Sequence, residues 1–272
     1  MYLNHICIAS AAPELLAEFY TSILGMKVSE PMPGYWMCAA TGRTVLIAPG
    51  SSPLKFGAYA CQKNELDNLK SRVERAGIRI EPNVSPLFDD ERSFAISDPD
   101  GNTMVFGDAD QPDRSVFATP LAGRLQHLVV ASKNIDRLMK FYRDVIGFRL
   151  SDLVADENGR STACFLRGDE EHHCFAIFGA DENRLDHHCY EAQSWNDIRD
   201  WADHLSKNEV EIMWGPGRHG AGNNLFLFFR DPDGNWLEIS AELETVAADK
   251  EPGLWPHSER TLNLWGKGLL RT

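Results

Sequence analysis

The chain has 272 residues, 43% apolar and 25% charged, with a formal net charge of −13. That length suits one large domain or two ordinary ones with a sizeable core, and the acidic balance argues against nucleic acid or an anionic membrane as partner. Six scattered cysteines with no C-x-x-C pair, no leader-like N-terminus and no apolar run long enough to span a bilayer indicate a cytoplasmic protein with free thiols.

In chain order, 3–10 reads as a buried strand and 12–24 as an amphipathic helix ending at Gly25, a residue suited to closing a helix. Strands at 35–40 and 44–48 follow, then a helix near 63–76. A strand pair then flanks the turn Asp98-Pro99-Asp100-Gly101-Asn102. Proline presets φ in such a turn, glycine supplies φ > 0, and Asp and Asn bond their own backbone. A linker at 111–124, with Pro112 and Pro120, closes this N-terminal module of residues 1–110. The next module, 125–241, reads as strand 125–132, helix 134–146, and strands near 148–154, 161–167 and 173–178. Strand 187–192, helix 194–207 and a closing strand pair around Asp231-Pro232-Asp233-Gly234-Asn235 complete it. A tail, 242–272, carries Trp255 and Trp265 and is expected to pack back on the body.

The two modules are copies. Leu3, His5, Ser10, Phe19, Tyr20 and Gly25 recur as Leu125, His127, Ser132, Phe141, Tyr142 and Gly147, all at offset 122. The Asp-Pro-Asp-Gly-Asn turns recur at offset 133, so the second copy has gained eleven residues between its matched ends. The expected fold is α+β: two tandem modules, each a pair of βαβββ units forming an incomplete mixed β-barrel with outer helices.

Of nine histidines, all but His5 and His257 fall between 127 and 219. His127 lies in the apolar strand Leu-Gln-His-Leu-Val-Val, where a histidine is commonly a satisfied core residue. His187-His188 opens another strand, and alternation lets only one of the two look inward. Glu238 stands between apolar neighbours in Trp236-Leu237-Glu238-Ile239-Ser240, so its carboxylate needs a partner. An arginine or a solvated edge meets that need; so does a metal. Two imidazoles and one carboxylate from three strands are the donor set that holds Fe(II) and leaves one side open, although Zn²⁺ and Mn²⁺ use similar donors. The repeat maps His127, His188 and Glu238 onto His5, Gly57 and Val105. Only the second copy has the full set, which points to a vacated site in the first.

These motifs, with Gly215-Pro216-Gly217-Arg218-His219 and Asp231-Pro-Asp-Gly-Asn-x-x-Glu238, resemble the type I extradiol catechol dioxygenases of the vicinal oxygen chelate superfamily. The resemblance covers nearly the whole chain. It implies Fe(II) held by His127, His188 and Glu238, with His173 as an acid–base near O₂ and His219 bonding a substrate oxygen. It implies a small aromatic diol and O₂ as substrates, ring cleavage beside the two hydroxyls, and a homo-oligomer. Phe228 stands where the family has a tyrosine donor, and a phenyl ring cannot donate. Tyr190, two residues after His188, is a candidate replacement. Phe228 and Trp236, with Phe226, are candidate walls of an apolar substrate pocket. The competing readings are a glyoxalase- or isomerase-like metalloenzyme of the same superfamily using Zn, Ni or Mn, and a protein that only binds a small aromatic ligand.

Overall fold

The computed structural model describes residues 1–109, 121 and 123–269; most of the expected linker, 111–124, lies outside them. The N-terminal module runs β1 (Tyr2–Ser10), α1 (Pro13–Ser22), β2 (Lys27–Met32), β3 (Tyr35–Ala40), β4 (Arg43–Pro49), β5 (Leu54–Cys61), α2 (Lys63–Arg75), β6 (Ser93–Ser97) and β7 (Thr103–Asp108). The C-terminal module runs β8 (Arg124–Ser132), α3 (Ile135–Phe141), β9 (Arg149–Ala155), β10 (Ser161–Arg167), β11 (Phe175–Gly179), β12 (Arg184–Ala192), α4 (Trp195–Lys207), β13 (Trp214–Arg218), β14 (Leu225–Arg230) and β15 (Trp236–Ala241). The tail adds β16 (Gly253–Pro256) and the single turn α5 (Glu259–Leu262). Four strands lie outside the segments the sequence pattern marks: β2, exposed along its whole length, β5, whose run is interrupted by Gly57, β13, built on Gly-Pro-Gly, and β16 in the tail.

Each module makes one mixed sheet that does not close into a barrel. The orders are β2-β3-β4-β1-β5-β7-β6 and β13-β14-β15-β12-β8-β11-β10-β9-β16. The repeated strands β1 and β8 hold equivalent inner places, parallel to one neighbour and antiparallel to the other. The tail does pack back, as β16 lies parallel to β9 at the sheet edge.

One apolar core joins the modules. It takes Leu3, Ile6 and Ile8 from β1 and Leu125, Leu128 and Val130 from β8, with Tyr20, Tyr59 and Trp201 buried around them. The sheets approach so closely that a Cβ at Gly57 would sit 2.7 Å from Leu128 Cδ2. The opposite face of the first sheet is also filled: Cys7, Phe56, Ala58 and Val105 form a second apolar cluster with Leu87 and Phe88. The opposite face of the second sheet is hollow, and there the polar residues gather.

Candidate metal centre

Strand register sets the site. β12 pairs with β15 through Cys189↔Glu238 and His187↔Trp236, and with β8 through Cys189↔His127. Partners in a ladder point to the same face, so His127, Cys189 and Glu238 form a row over the hollow, with His187 one step along β12. The equivalent row in the first module is His5, Ala58 and Val105, and the counterpart of His187 is Phe56. His5 Nε2 lies 2.6 Å from Ser85 Oγ, and the Phe88 ring is 4.9 Å from the imidazole. That interior is closed by apolar side chains.

Glu238 is 2% exposed and stands at the centre of the C-terminal cluster. Its Oε2 is 3.1 Å from His127 Nε2 and 3.3 Å from His187 Nε2; its Oε1 is 3.4 Å from His219 Nε2 and 3.3 Å from Asn224 Nδ2. Each of the three imidazoles is anchored through its other nitrogen. His127 Nδ1 lies 2.5 Å from Gln126 Oε1, His187 Nδ1 lies 2.6 Å from Asp186 Oδ1, and His219 Nδ1 lies 2.5 Å from the Leu262 carbonyl. The Gln126 amide is oriented by its NH₂, which donates to the His173 carbonyl at 2.6 Å. All three anchors accept, so all three Nδ1 atoms donate. Each neutral ring therefore aims an Nε2 lone pair at an anionic carboxylate. Lone pairs and a carboxylate facing one another in a buried place need a cation between them, either protons or a metal ion. Such acceptors behind imidazoles are what metal sites use to orient their ligands.

Burial alone would raise the Glu238 carboxyl; with protons between it and the imidazoles, hydrogen bonds from the three histidines outweigh burial and hold the group well below the usual carboxylate range. Burial pulls His187 down, yet Asp186 and Glu238 overcome this and raise it. Burial lowers His127. Cys189 also lies within 4.8 Å of the His127 and Glu238 donors. Burial pushes its thiol well above the ordinary range, so it stands beside Glu238 as a neutral group.

His188, expected as the second imidazole ligand, faces the other way. Its Nε2 is 3.1 Å from the Tyr20 hydroxyl of the first module, its ring is fully buried, and its Nδ1 has no hydrogen-bond partner. Tyr190 shares that face and does not line the cavity, so it is not the expected replacement donor. Residues 187 and 189 share the face of Glu238, so 188 and 190 take the opposite face. Trp236 also stays out of the cavity wall; its ring lies edge-on to Phe228 at 6.1 Å and under the Arg230 guanidinium at 4.5 Å. Phe226 stacks on His219 at 3.9 Å rather than lining the hollow.

His127, His173, His187, His219, Phe228 and Glu238 all line one cavity of about 360 Å³. Phe165, Phe178 and Trp214 supply apolar walls, and among the described residues no lysine or arginine contributes. Sequence reasoning missed Asn224, Gln126 and the tail, whose His257, Thr261 and Leu262 also line the cavity. The first module held a signal for Gln126: Asn4 precedes His5 and its Oδ1 lies 2.7 Å from His5 Nδ1, the same device one offset away.

The family model for the glyoxalase/bleomycin resistance protein/dioxygenase superfamily matches residues 2–106 and 124–239, both modules. Metapyrocatechase 2 of Cupriavidus necator is 25% identical over 238 residues, covering 78% of this chain and 72% of that protein. An iron-dependent extradiol dioxygenase of Rhodococcus jostii is 26% identical over 276 residues, covering 92% and 90%. Among solved structures, the Mn(II)-bound glyoxalase of Novosphingobium aromaticivorans is 27% identical with a TM-score of 0.85, over 98% of this chain and 91% of that one.

Proposed function

This chain belongs to the glyoxalase/bleomycin resistance protein/dioxygenase superfamily, and on that premise we propose that it is an Fe(II)-dependent extradiol dioxygenase. It cleaves a catechol-type ring beside its vicinal hydroxyls, using O₂. The observation that carries this reading is the convergence of three anchored Nε2 lone pairs on the Glu238 carboxylate inside an apolar cavity. His127, His187 and Glu238 would hold the metal. Bound there, it supplies a positive centre that favours ionisation of the diol and an electron path to O₂.

The remaining work falls to the chain. Phe165, Phe178 and Phe228 exclude water and flank a planar ring. His219, fixed by the Leu262 carbonyl, hydrogen-bonds a substrate oxygen at its Nε2 side. His173 takes and returns a proton; burial holds its imidazole well below the ordinary range, so it waits as the neutral base. Phe228 offers no hydroxyl, so the ring oxygen nearest it gains no donor from that strand. With acidic Asp181 and Asp186 on the wall and no described cation, the cavity suits neutral diols over carboxylated ones. We propose too that the protein works as a cytoplasmic homo-oligomer, which light scattering tests for the assembly.

The test is a panel of catechols on metal-free protein reloaded anaerobically with Fe(II) or Mn(II), read by O₂ uptake and a coloured ring-fission product. Uptake with Fe(II) and a preference for neutral alkyl- or aryl-catechols are expected. No uptake with either metal sinks the reading. It would favour the glyoxalase- or isomerase-like alternative, to which Phe228 and the manganese-bound glyoxalase likeness already lend weight.

A further inference from the structure

A chain of buried polar groups reaches the cavity from behind. Asp152 on β9 accepts at Oδ1 from the Gly253 N–H, 3.1 Å, and at Oδ2 from Trp255 Nε1–H, 2.8 Å; both donors belong to β16 of the tail. The same Oδ2 lies 3.0 Å from His172 Nε2, and His172 Nδ1 lies 3.0 Å from His173 Nδ1. His172 and His173 are 1% and 3% exposed. His173 lines the cavity, and its Nε2 has no protein partner among the described residues.

Donors and acceptors give this chain a direction. A backbone N–H and an indole N–H only donate, so both oxygens of Asp152 act as acceptors. His172 Nε2 must then carry the hydrogen. A neutral imidazole has one N–H, which leaves His172 Nδ1 as a lone pair, and His173 Nδ1 has to donate to it. His173 Nε2 remains as a lone pair on the cavity side. Two imidazoles in contact without an anchor have two polarities to choose from; the carboxylate, itself held by the tail, removes one.

We propose that Asp152, His172 and Trp255 are positioning residues that hold His173 in its Nδ1–H tautomer, with Nε2 set to receive a proton from the substrate. The second half of that statement rests on the function proposed above; the tautomer does not. A carboxylate that fixes the tautomer of a proton-transferring histidine is a known requirement in other enzymes.

The test uses metal-free protein labelled with ¹⁵N-histidine. Nitrogen shifts and two-bond couplings report the tautomer, His173→Gln assigns the signal, and circular dichroism checks folding. Asp152→Asn alone should keep the Nδ1–H tautomer, because the amide oxygen stays on Trp255 and His172 and only the Gly253 bond is lost. Trp255→Phe alone should keep it too, since the carboxylate still accepts from His172. The pair together should reverse it. Without the indole donor, the amide oxygen turns to Gly253 N–H, its NH₂ faces His172 Nε2, and His173 ends with its hydrogen on Nε2. On metal-loaded enzyme, kcat should drop about 100-fold in the double variant, with each single variant within about threefold of native and KM little changed. Nε2–H in the native protein overturns the proposal, whatever the variants do. So does a folded double variant that keeps Nδ1–H. If no catechol turns over in any form, the proposed function fails while the tautomer result still stands.

Discussion

Replacing His187 and His188 by alanine, one at a time, separates metal binding from stability. His188 is fully buried and bonds the buried Tyr20 hydroxyl at 3.1 Å across the module boundary. Its loss opens a cavity and strands that hydroxyl, costs of about 2 kcal/mol and about 1–3 kcal/mol. Its Nδ1 is already without a partner, so removing the ring also relieves about 1 kcal/mol of desolvation. The net is about 2–4 kcal/mol, or a melting temperature lower by about 4–7 °C in a chain of this size, with metal affinity unchanged. His187→Ala should do the opposite. It removes an Nε2 held 3.3 Å from Glu238 Oε2, and affinity should fall by more than the ~10–100-fold typical of losing a group behind the ligands. The metal-free fold should suffer less, because Asp186 keeps Arg184 at 3.2 Å and Glu238 keeps His127. Calorimetric titration with Mn(II) and thermal melts of metal-free protein read both effects. If His188→Ala loses the metal and His187→Ala retains it, His187 is not the ligand.

Phe228→Tyr places a hydroxyl on the cavity wall and should raise kcat on catechols about tenfold or more, as a donor aimed at a developing charge does; stopped-flow kinetics would show it, and no gain would mean that the hydroxyl points elsewhere. Glu191 is raised to about 7 from 4.5, by burial first, against the opposing bonds to Ser240 and the Leu243 N–H. Between those two values the folded state binds the proton and the unfolded state does not. Stability should therefore fall as pH rises from about 4.5 to about 7, by about 3 kcal/mol in all. Urea unfolding of Glu191→Gln at pH 5 and pH 8 should show that this slope has gone. Gly220→Ala puts a Cβ 2.8 Å from the Thr261 carbonyl and 2.9 Å from Trp255; it should wedge the tail away and lower kcat while metal content, measured by emission spectroscopy, stays near native.

Much of this molecule was legible along the chain. The offset-122 identities announce two copies, and the two copies form two sheets with β1 and β8 in equivalent places. Strand alternation states that only one of His187 and His188 looks inward. Those are local properties, carried by neighbouring residues. Which of the pair looks inward depends on how β12 aligns with β8 and β15, strands about 50–60 residues away in sequence. Bulges complicate the phase further: the β8–β12 register shifts between Leu185 and His187 and again between Cys189 and Tyr190. The tail illustrates the same limit. Nothing in Gly253-Leu-Trp255 signals chemistry, yet its parallel pairing with β9 brings an indole N–H to Asp152.

By itself the sequence determined the duplication, the strand-and-helix order, and the presence in one copy of an imidazole-and-carboxylate set the other lacks. Those follow from residue identity and short-range periodicity. Only the tertiary structure decided which imidazole faces Glu238, that Tyr190 and Trp236 stand outside the cavity, and that the tail closes it. The choice of imidazole and the place of Tyr190 are questions of register between distant strands, where one residue of slip reverses the face to which every side chain points; Trp236 shares the Glu238 face but packs on Phe228 and Arg230, and the tail is placed by its pairing with β9.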